Sequence, residues 1–433
     1  MRRLILTIAA FAIAVTASMA QDFQTGYFLQ GYTQAYKLNP AKTPEKAIIS
    51  LPGLGGVSVF SRGNIGLDNI IFPVSDGKLG FFTHPEVSSR QFLGGLKSTN
   101  RFTENFSTEL LGFGFKKGPF YHSFDVSLRS IGGAKVPYEL FKFLKDGIED
   151  KISIPSMSLA EHAYLELAYG LSMKIGDMIS VGGRVKYLMG ILNANVGIDN
   201  LTITNNNGIW TVKGHTYGRC AYDGVEMKTK VDETGTRVID RIDLNKLSGI
   251  SGHGAALDMG VVLSMVPDWT FSASLCDIGG MRWRYAVNGR RDSEWVYDGD
   301  SEDLEDDLAK LLELEDVGAE KGFKMLPATL RLAAEWTKLS YVSFGILATR
   351  QFSNVPWTEL RASANFKAGR VLGASVSAAV GSFGFNWGAA FNLDFKVINL
   401  HLGMDAIPTK FTPQYIPLGH CNLGASFGLT ITI

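Results

Sequence analysis

The chain has 433 residues, of which 45% are hydrophobic and 19% are charged, and its 42 basic and 42 acidic side chains give a formal net charge of zero. Because there is no basic excess to neutralise phosphates, this composition excludes nucleic acid as a main partner. Length alone would suit two or three soluble domains, but no Pro/Ser-rich linker divides the sequence.

The first twenty residues, MRRLILTIAAFAIAVTASMA, predict a secretory signal peptide. Two arginines precede an apolar run from Leu4 to Ala17, and small residues lead to a cleavage point between Ala20 and Gln21. The apolar run is shorter than the ~20 residues of a spanning helix. Beyond residue 20 no stretch of 18 apolar residues exists, which excludes a helical membrane protein. An exported protein of this kind is either soluble and secreted or a transmembrane barrel.

Long stretches of the chain alternate strictly between apolar and polar residues. In FGFNWGAAFNLDF, 383–395, Phe385 and Trp387 lie on one face of an extended strand, and Asn386 and Asn392 lie on the other. Four further segments alternate in the same way: YLELAYGLSMK (164–174), TLRLAAEWTK (329–338), WTELRASANFK (357–367) and CNLGASFGLTITI (421–433). Globular strands average about five or six residues, whereas membrane barrel strands need about 9–11 and alternate apolar-out, polar-in. The pattern therefore predicts a transmembrane barrel.

Connection lengths agree with an all-β, antiparallel up-and-down transmembrane barrel, which has tight turns at one end and long loops at the other. The predicted tight turns are Lys117–Gly118, Gly176–Asp177, Pro267–Asp268, Leu339–Ser340, Ala368–Gly369 and Phe395–Lys396. The connections between them span 68–102, 130–155, 193–251, 281–326, 351–356, 381–382 and 405–420. The predicted strands are 57–67, 103–116, 119–129, 156–174, 178–192, 252–265, 269–280, 327–338, 341–350, 357–367, 371–380, 383–394, 397–404 and 421–432. This pattern predicts about 14 strands, and an error in pairing parity would change the number to 12 or 16.

The long connections contain three predicted elements of their own. VPYELFKFLKDG, with Pro137 near its first turn and Gly147 as its stop, predicts a short amphipathic helix. SEDLEDDLAKLLELEDVG, at 301–318, predicts an acidic helix. LTITNNNGIWTVKG, within 193–251, is compatible with a hairpin that projects from the rim.

Alternation also assigns charged side chains to the lumen. The predicted lumen-facing residues are Glu166, Arg184, Lys186, Asp258, Arg331, Glu335, Glu359, Arg361, Lys367 and Asp394. Their mixed signs leave two interpretations open: they pair across a packed interior, or they line a path for a polar solute. Residues 21–55, which we call the N-terminal segment, could fold into the lumen as a plug, and 21–433 form one barrel domain.

Residues typical of catalysis or metal binding are sparse. Cys220, Cys276 and Cys421 are far apart, odd in number and without the paired spacing of a zinc site. Seven histidines show no metal-ligand spacing. The sequence therefore predicts a protein that is not an enzyme and binds no cofactor or metal.

Three stretches resemble a family of outer-membrane barrels of unknown function from Bacteroidetes-type bacteria. They are LNPA (38–41), LPGLGGVSVFSRGNIGLDNIIFP (51–73) and LDMGVVLSMVPDWTFSASLCDIGGMRW (257–283). The family is distantly similar to fatty-acid-transporter-like and type IX secretion-associated barrels. The resemblance implies the outer membrane of a Gram-negative bacterium, with outer-membrane lipid, the barrel-assembly machinery and other envelope proteins as partners.

Three functions fit these observations. The first is permeation or transport of a small or lipidic solute. The second is a structural or secretion-machinery role as a partner barrel in the envelope. The third is a soluble, secreted, β-rich adhesin, which would need no membrane at all.

Overall fold

The computed structural model describes residues 23–75, 78–232, 235–297, 314–407, 410–411, 417–418 and 422–433. The predicted signal peptide and its cleavage point between Ala20 and Gln21 lie outside the described residues, as do Cys421 and most of the predicted acidic helix at 301–318.

Fourteen antiparallel strands close into a barrel, which confirms the predicted fold class and strand number. Each strand pairs with its neighbours in the chain, and the last strand pairs with the first to complete the ring. The strands are β1 (Ile48–Ser50 and Val57–Gly63), β2 (Thr99–Lys117), β3 (Phe120–Pro137), β4 (Met157–Ile175), β5 (Ile179–Asn206), β6 (Gly252–Val266), β7 (Trp269–Tyr285), β8 (Ala328–Trp336), β9 (Val342–Phe352), β10 (Trp357–Ala368), β11 (Leu372–Gly381), β12 (Gly384–Asp394), β13 (Ile398–Ala406) and β14 (Leu423–Thr432).

The first strand differs from its prediction. It was expected at 57–67, but it consists of two pieces separated by a turn at 51–56 and ends at Gly63. Within that turn Gly53 has a φ of +70°, and the amide of Gly55 hydrogen-bonds to the carbonyl of Leu51. Because the chain leaves the strand at this turn, apolar and polar residues do not alternate through it.

The six predicted tight turns are present and lie together at one end of the barrel, which we call the short-turn end. Five of them contain a residue with positive φ, as the commonest two-residue hairpin turns do. These residues are Gly118, Gly176, Asp268, Gly369 and Lys396. The opposite rim, which carries the longer connections, is the long-loop end.

The outer wall is apolar and the inner wall is polar, as the alternation predicts. Phe385 and Trp387 are exposed on the outside, and Asn392 of the same strand is buried inside. Exposed aliphatic and aromatic side chains continue around the outer surface, for example at Ile346 and Leu360. A belt of this kind is stable in hydrocarbon and a liability in water, which disfavours the soluble adhesin. Among the described residues, no helix is both long and apolar enough to cross a membrane.

Strand β5 continues beyond its pairing with β6 and carries further strands of the same sheet at the long-loop end, which we call the projecting sheet. It has 28 residues, and the predicted hairpin follows it, with Asn207 and Gly208 at positive φ. The other strands at this end are Lys151–Ile154, Ile209–Tyr222, Val225–Val231, Arg237–Leu244, Val287–Tyr297, Glu315–Asp316 and Glu320–Met325. Residues 315–316 were expected in a helix, but they pair with Val238 and Arg290, while Leu314 lies against glycines of the sheet.

Short helices cover part of the same rim. The predicted helix α2 spans Tyr138–Asp146 and ends at Gly147, which has a φ of +73°. Its aromatic side chains pack on helix α1 (Ser89–Leu93) in a cluster that includes Phe82 and Phe92. The remaining elements are 3-10 turns at Thr25–Phe28, Ala35–Lys37 and Leu67–Asn69, and two-stranded ladders of Ile71–Pro73 with Leu79–Phe81 and Lys410–Phe411 with Pro417–Leu418.

A matched pair of alanines on the outer face of β10 tests the membrane assignment. Ala362 lies at mid-strand opposite Ile346, and Ala368 lies at the short-turn end. We expect Ala362→Arg to cost about 2–4 kcal/mol of stability and Ala368→Arg only about 0–1 kcal/mol, because the penalty for arginine falls with distance from the bilayer midplane. Unfolding by urea in lipid vesicles measures both values. Equal costs would contradict a lipid-facing wall.

Candidate functional site in the lumen

The described part of the N-terminal segment before β1, residues 23–46, lies inside the barrel. Its contacts come from strands all around the wall, which only a lumenal position permits. The wall residues that contact it by hydrogen bonds, ion pairs or ring contacts include Glu109, Arg184, Ser272, Arg331, Thr349, Arg361, Ser377, Asp394, Asp405 and Thr430. The bore of the described barrel is therefore filled by the chain's own N-terminal segment.

The first described residues are held by a buried carboxylate. Asp405 accepts hydrogen bonds from the backbone amides of Gln24, at 2.8 Å, and Thr25, at 2.6 Å. The hydroxyl of Thr25 lies 2.9 Å from that of Ser377 and accepts from the guanidinium of Arg361 at 3.0 Å. Asp405 is one residue from the long-loop end of β13, so the segment begins towards that end. From there it runs towards the short-turn end, where Thr33 contacts Thr430.

The Asn-Pro-Ala element, residues 39–41, binds the N-terminal segment to the barrel wall through Asn39. Asn39 is fully buried. Its amide donates to the hydroxyl of Tyr27 at 3.1 Å and to the carbonyls of Val261 and Ala273, at 3.4 and 3.3 Å. The side-chain oxygen of Asn39, Oδ1, accepts a hydrogen bond from the backbone amide of Ala41 at 3.0 Å. One asparagine thus joins the segment to two neighbouring strands.

Glycines of the wall make room for this contact. A Cβ on Gly260 would lie 2.0 Å from the side-chain oxygen of Asn39, and one on Gly182 would lie 2.3 Å from the carbonyl oxygen of Pro40. A Cβ added to any of four more lumenal glycines would also lie within 2.6 Å of the segment, namely Gly345, Gly373, Gly388 and Gly403. The inner wall is therefore shaped to fit the segment.

Seven charged side chains of five successive strands form what we call the lumenal charge cluster: Asp125, Arg129, Glu166, Arg184, Lys186, Asp258 and Asp277. Arg184 donates to Asp125 at 2.7 Å and 3.0 Å and to Asp258 at 3.0 Å. Tyr36 of the N-terminal segment packs its ring 5.5 Å from the same guanidinium. The segment and the cluster are in direct contact.

The other two cations complete the cluster. Arg129 bonds to Glu166 and Asp277, each at 2.8 Å. Lys186 lies 2.8 Å from Asp258 and 2.6 Å from Asp277. Three cations against four carboxylates give a formal charge of −1 when all are ionised. Because each buried charge has an opposite partner, the cluster ties the lumenal faces of β3–β7 together.

A bulge interrupts the pairing of β6 with β7. Asp277 has a φ of +63°, and the pairing of β6 with β7 shifts register between Leu257 and Met259. The amide of Asp277 donates to Asp258 at 2.7 Å. The bulge turns the carboxylate of Asp277 into the lumen beside the buried Cys276, its neighbour in sequence.

The structure brings only some of the predicted lumen-facing residues together. Glu166, Arg184 and Lys186 meet in the cluster with Asp258, and Glu359 pairs with Arg361 at 2.8 Å near Asp405. Arg331 is buried beside the carbonyl of Leu38, and Glu335 is half-buried and accepts from Ser343. Lys367 is exposed close to the short-turn end, and Asp394 pairs with Lys46 at 3.1 Å.

Several lumenal residues were missed by the sequence reasoning. Asp125 and Arg129 alternate with apolar residues in β3, so the same parity argument would have placed them in the lumen. Asp277 sits at a bulge, where parity fails. Asp405 lies in β13 at a shift of register between Met404 and Ala406, and Asn39 lies in the non-strand N-terminal segment, so neither belongs to a regular alternation.

Burial shifts the pKa values of two groups in the N-terminal segment. Burial raises the pKa of the Tyr36 hydroxyl well above its usual value, and Glu109 raises it further. Burial lowers the pKa of Lys42 to about 8, while its ammonium group lies 4.1 Å from the centre of the Tyr27 ring and donates to the Tyr27 carbonyl.

A cavity of about 620 Å³ lies on the projecting sheet and not in the lumen. His215, Tyr217, Arg219 and Arg290 are among its lining residues. His215 contacts Asp292 at 2.7 Å, and Arg219 lies 3.7 Å from Glu320. Among the described residues, no group of three or more His, Cys, Asp or Glu side chains is arranged to hold a metal ion.

Residues 40–405 of the chain match the model of a family of unknown function, DUF5723. The chain belongs to this family. The match begins inside the Asn-Pro-Ala element and ends at Asp405. A search of curated proteins finds no match.

Solved structures of outer-membrane channels resemble the barrel at low identity. A TodX deltaS2S3 mutant monoaromatic hydrocarbon channel is 8% identical, with a TM-score of 0.47 and 96% of each chain covered. The toluene transporter TbuX of Ralstonia pickettii is 10% identical, with a TM-score of 0.44, over 92% of this chain and 93% of that one. A FadL homologue of Pseudomonas aeruginosa is 11% identical, with a TM-score of 0.44, over 96% and 97%. Values this low say nothing about what this chain binds.

Removal of a cation from the cluster tests its contribution to stability. We expect Arg184→Ala to destabilise the barrel by about 3–5 kcal/mol, because Asp125 and Asp258 are left buried without this partner. Lys213→Ala is the control. Lys213 forms a 2.7 Å ion pair with Glu294, but both side chains are largely exposed, so we expect a change of about 0–1 kcal/mol. Urea unfolding followed by tryptophan fluorescence measures the difference, and similar values for the two variants would contradict a structural role for the cluster.

Adjacent glycines test the fit of the N-terminal segment. Gly182→Ala places a methyl group 2.3 Å from the carbonyl oxygen of Pro40, whereas a Cβ on Gly183 meets nothing closer than 3.5 Å. We expect Gly182→Ala to speed hydrogen exchange in the segment and Gly183→Ala to leave it unchanged, since only the first methyl group displaces backbone. Mass spectrometry of peptides covering residues 23–46 measures the exchange, and unchanged rates in Gly182→Ala would refute the tight fit.

Proposed function

We propose that the protein is an outer-membrane channel for a small or lipidic solute, closed by its own N-terminal segment. The observation that supports this most is that a non-strand stretch of chain, and not side chains alone, fills the bore. Residues 23–46 continue covalently into the wall only through Ala47, which precedes the first piece of β1, and all their contacts with the other strands are non-covalent. A filling of this kind can move aside without unfolding the barrel.

Barrel size supports the same proposal. Eight-stranded barrels have an interior that side chains can fill, and 16–18-stranded porins are open channels. A barrel of fourteen strands lies between them and has a bore that needs extra filling. Movement of the segment would expose small polar side chains on one half of the wall, including Ser363, Ser375 and Asn392, and the lumenal charge cluster on the other.

The apolar outer wall supports a location in the outer membrane of a Gram-negative bacterium. Lipid would then contact the exposed belt, and the barrel-assembly machinery would insert the exported chain. We propose no enzymatic activity, since the residues of the lumenal charge cluster pair with one another and hold the wall.

A second candidate function is that of an envelope partner barrel, and the projecting sheet favours it. Strand β5 extends for about half its length past the end of its pairing with β6. Exposed apolar side chains such as Val196, Val231 and Leu244 lie on the projecting sheet and its hairpin. Such a surface suits binding to another envelope protein. In this case the lumenal filling would be permanent.

A reversible tether distinguishes the two candidates. Thr25 and Ser377 have their hydroxyl oxygens 2.9 Å apart, so Thr25→Cys with Ser377→Cys places two thiols within reach of a disulfide. The native cysteines, Cys220, Cys276 and Cys421, are first replaced by serine. In planar bilayers we expect no conductance when the tether is oxidised and openings after reduction, with Thr25→Cys alone insensitive to reductant.

Two outcomes contradict the channel proposal. Silence in both redox states, with the barrel folded, would favour the partner role, which co-purification of envelope proteins with the intact barrel then tests. Equal conductance in both states would show that the N-terminal segment does not close the path.

A further inference from the structure

We infer that Glu104 and Glu161 form a Ca²⁺ site on the outer face of the barrel, near the long-loop end. The inference goes beyond the proposed function, because it concerns neither the N-terminal segment nor the lumen. It depends on where the two carboxylates lie, on which groups surround them and on the space between them.

The two glutamates lie on either side of one glycine in three neighbouring strands. Glu104 of β2 is paired with Gly132 of β3, and Gly132 is paired with Glu161 of β4. Arg129 of β3 belongs to the lumenal charge cluster, and Gly132 is three positions further along the same strand. Because successive side chains of a strand point to opposite faces, all three positions are on the outer face.

The pair lies at the level where the barrel leaves the hydrocarbon layer. Gly132 is twelve residues after Phe120, the first residue of β3 at the short-turn end. With a rise of about 3.3 Å per residue and a strand tilt of about 40°, this separation is roughly 30 Å along the barrel axis. The hydrocarbon core of a bilayer is about as thick. With the short-turn end at one interface, the two glutamates are at the other, within reach of ions in water.

The carboxylate of Glu104 is buried and without a partner. This residue is 2% exposed, and neither of its side-chain oxygens has a hydrogen-bond partner. Glu161 is half-buried. Its Oε1 accepts a hydrogen bond from the hydroxyl of Ser130, while its Oε2 is buried without a partner. Within the part of the chain that the structure describes, neither carboxylate forms an ion pair.

The unpartnered oxygens converge on the space beside Gly132. A Cβ at this glycine would lie 2.0 Å from Oε2 of Glu161 and 2.9 Å from Oε1 of Glu104. Two carboxylates from strands that are not neighbours therefore approach the same point. They can do so because residue 132 has no side chain, and any other residue at this position would fill the space between them.

Two carboxylates in contact repel each other, and this repulsion is relieved by a shared proton or by a cation. One proton joins only two oxygens, so it would leave the third unpartnered oxygen buried. Ca²⁺ binds carboxylate oxygens in mono- or bidentate fashion, takes six to eight of them and tolerates irregular geometry. It can therefore bind all three oxygens, with water as the remaining ligands, and would join β2 to β4 across β3.

Calorimetric titration with Ca²⁺ tests the site in the whole mature barrel, folded in detergent and stripped of metal with a chelator. Glu104→Gln and Glu161→Gln each remove one charge and keep the shape of the side chain. Gly132→Ala keeps both carboxylates and fills the space between them. The control is Glu294→Gln, because Glu294 is an exposed carboxylate that pairs with Lys213 at 2.7 Å.

We expect the unaltered barrel and Glu294→Gln to bind Ca²⁺ equally. The other three variants should bind it at least about tenfold more weakly, since affinity for Ca²⁺ depends on the number of charged ligands and on their arrangement. Urea unfolding gives a second readout. In chelator, Glu104→Gln should be no less stable than the unaltered barrel, because one of two repelling charges is gone, and Ca²⁺ should stabilise only the unaltered barrel and the control.

Absence of Ca²⁺ binding to the unaltered barrel would overturn the inference even if a variant failed to fold. Equal binding by folded Glu104→Gln or Glu161→Gln would also overturn it. A shared proton in place of Ca²⁺ would appear as stability that falls with rising pH to the same extent in chelator and in Ca²⁺. None of these measurements needs conductance, so a barrel that is silent in bilayers would remove the channel proposal and leave this result standing.

Discussion

Each barrel strand has two different surroundings, hydrocarbon on one face and a narrow interior on the other, and this constraint shapes the rest of the molecule. Closure of the ring pairs the backbone of β1 with that of β14, so no edge is left to be solvated in lipid. Outside, Ile346 and Trp387 need no specific partner. Inside, every polar group needs one, because buried polar groups without hydrogen bonds are costly.

The interior holds two different fillings. On β3–β7, long charged side chains reach one another and form the lumenal charge cluster. On β9–β13 several wall residues are small, among them Gly345, Gly373 and Gly388, and the N-terminal segment occupies the space that they leave. The two fillings meet where Tyr36 lies against Arg184. Loosening either one removes partners from the other, so the state of the bore is a property of both.

Much of this architecture could be predicted from the sequence because period-two alternation survives in long strands. Strand number and turn positions follow from the alternating segments and the connections between them, and the inward direction of Glu166, Arg184 and Arg361 follows from the alternation within their strands. The prediction failed where the backbone leaves that period, at the bulge of Asp277 and at the turn that divides β1. Specific partners, such as Asp405 for the amides of residues 24 and 25, depend on three-dimensional contacts between residues about 380 positions apart, and no local pattern encodes them.

Strand β5 belongs to two structures at once. Its first half carries Arg184 and Lys186 of the lumenal charge cluster, and its second half, from about Leu192 to Asn206, forms the base of the projecting sheet. Because this strand is continuous, a molecule bound to the projecting sheet would contact the same strand that carries Arg184, whose guanidinium lies against the ring of Tyr36. Events at the long-loop end and the filling of the bore would then be coupled through the backbone of β5.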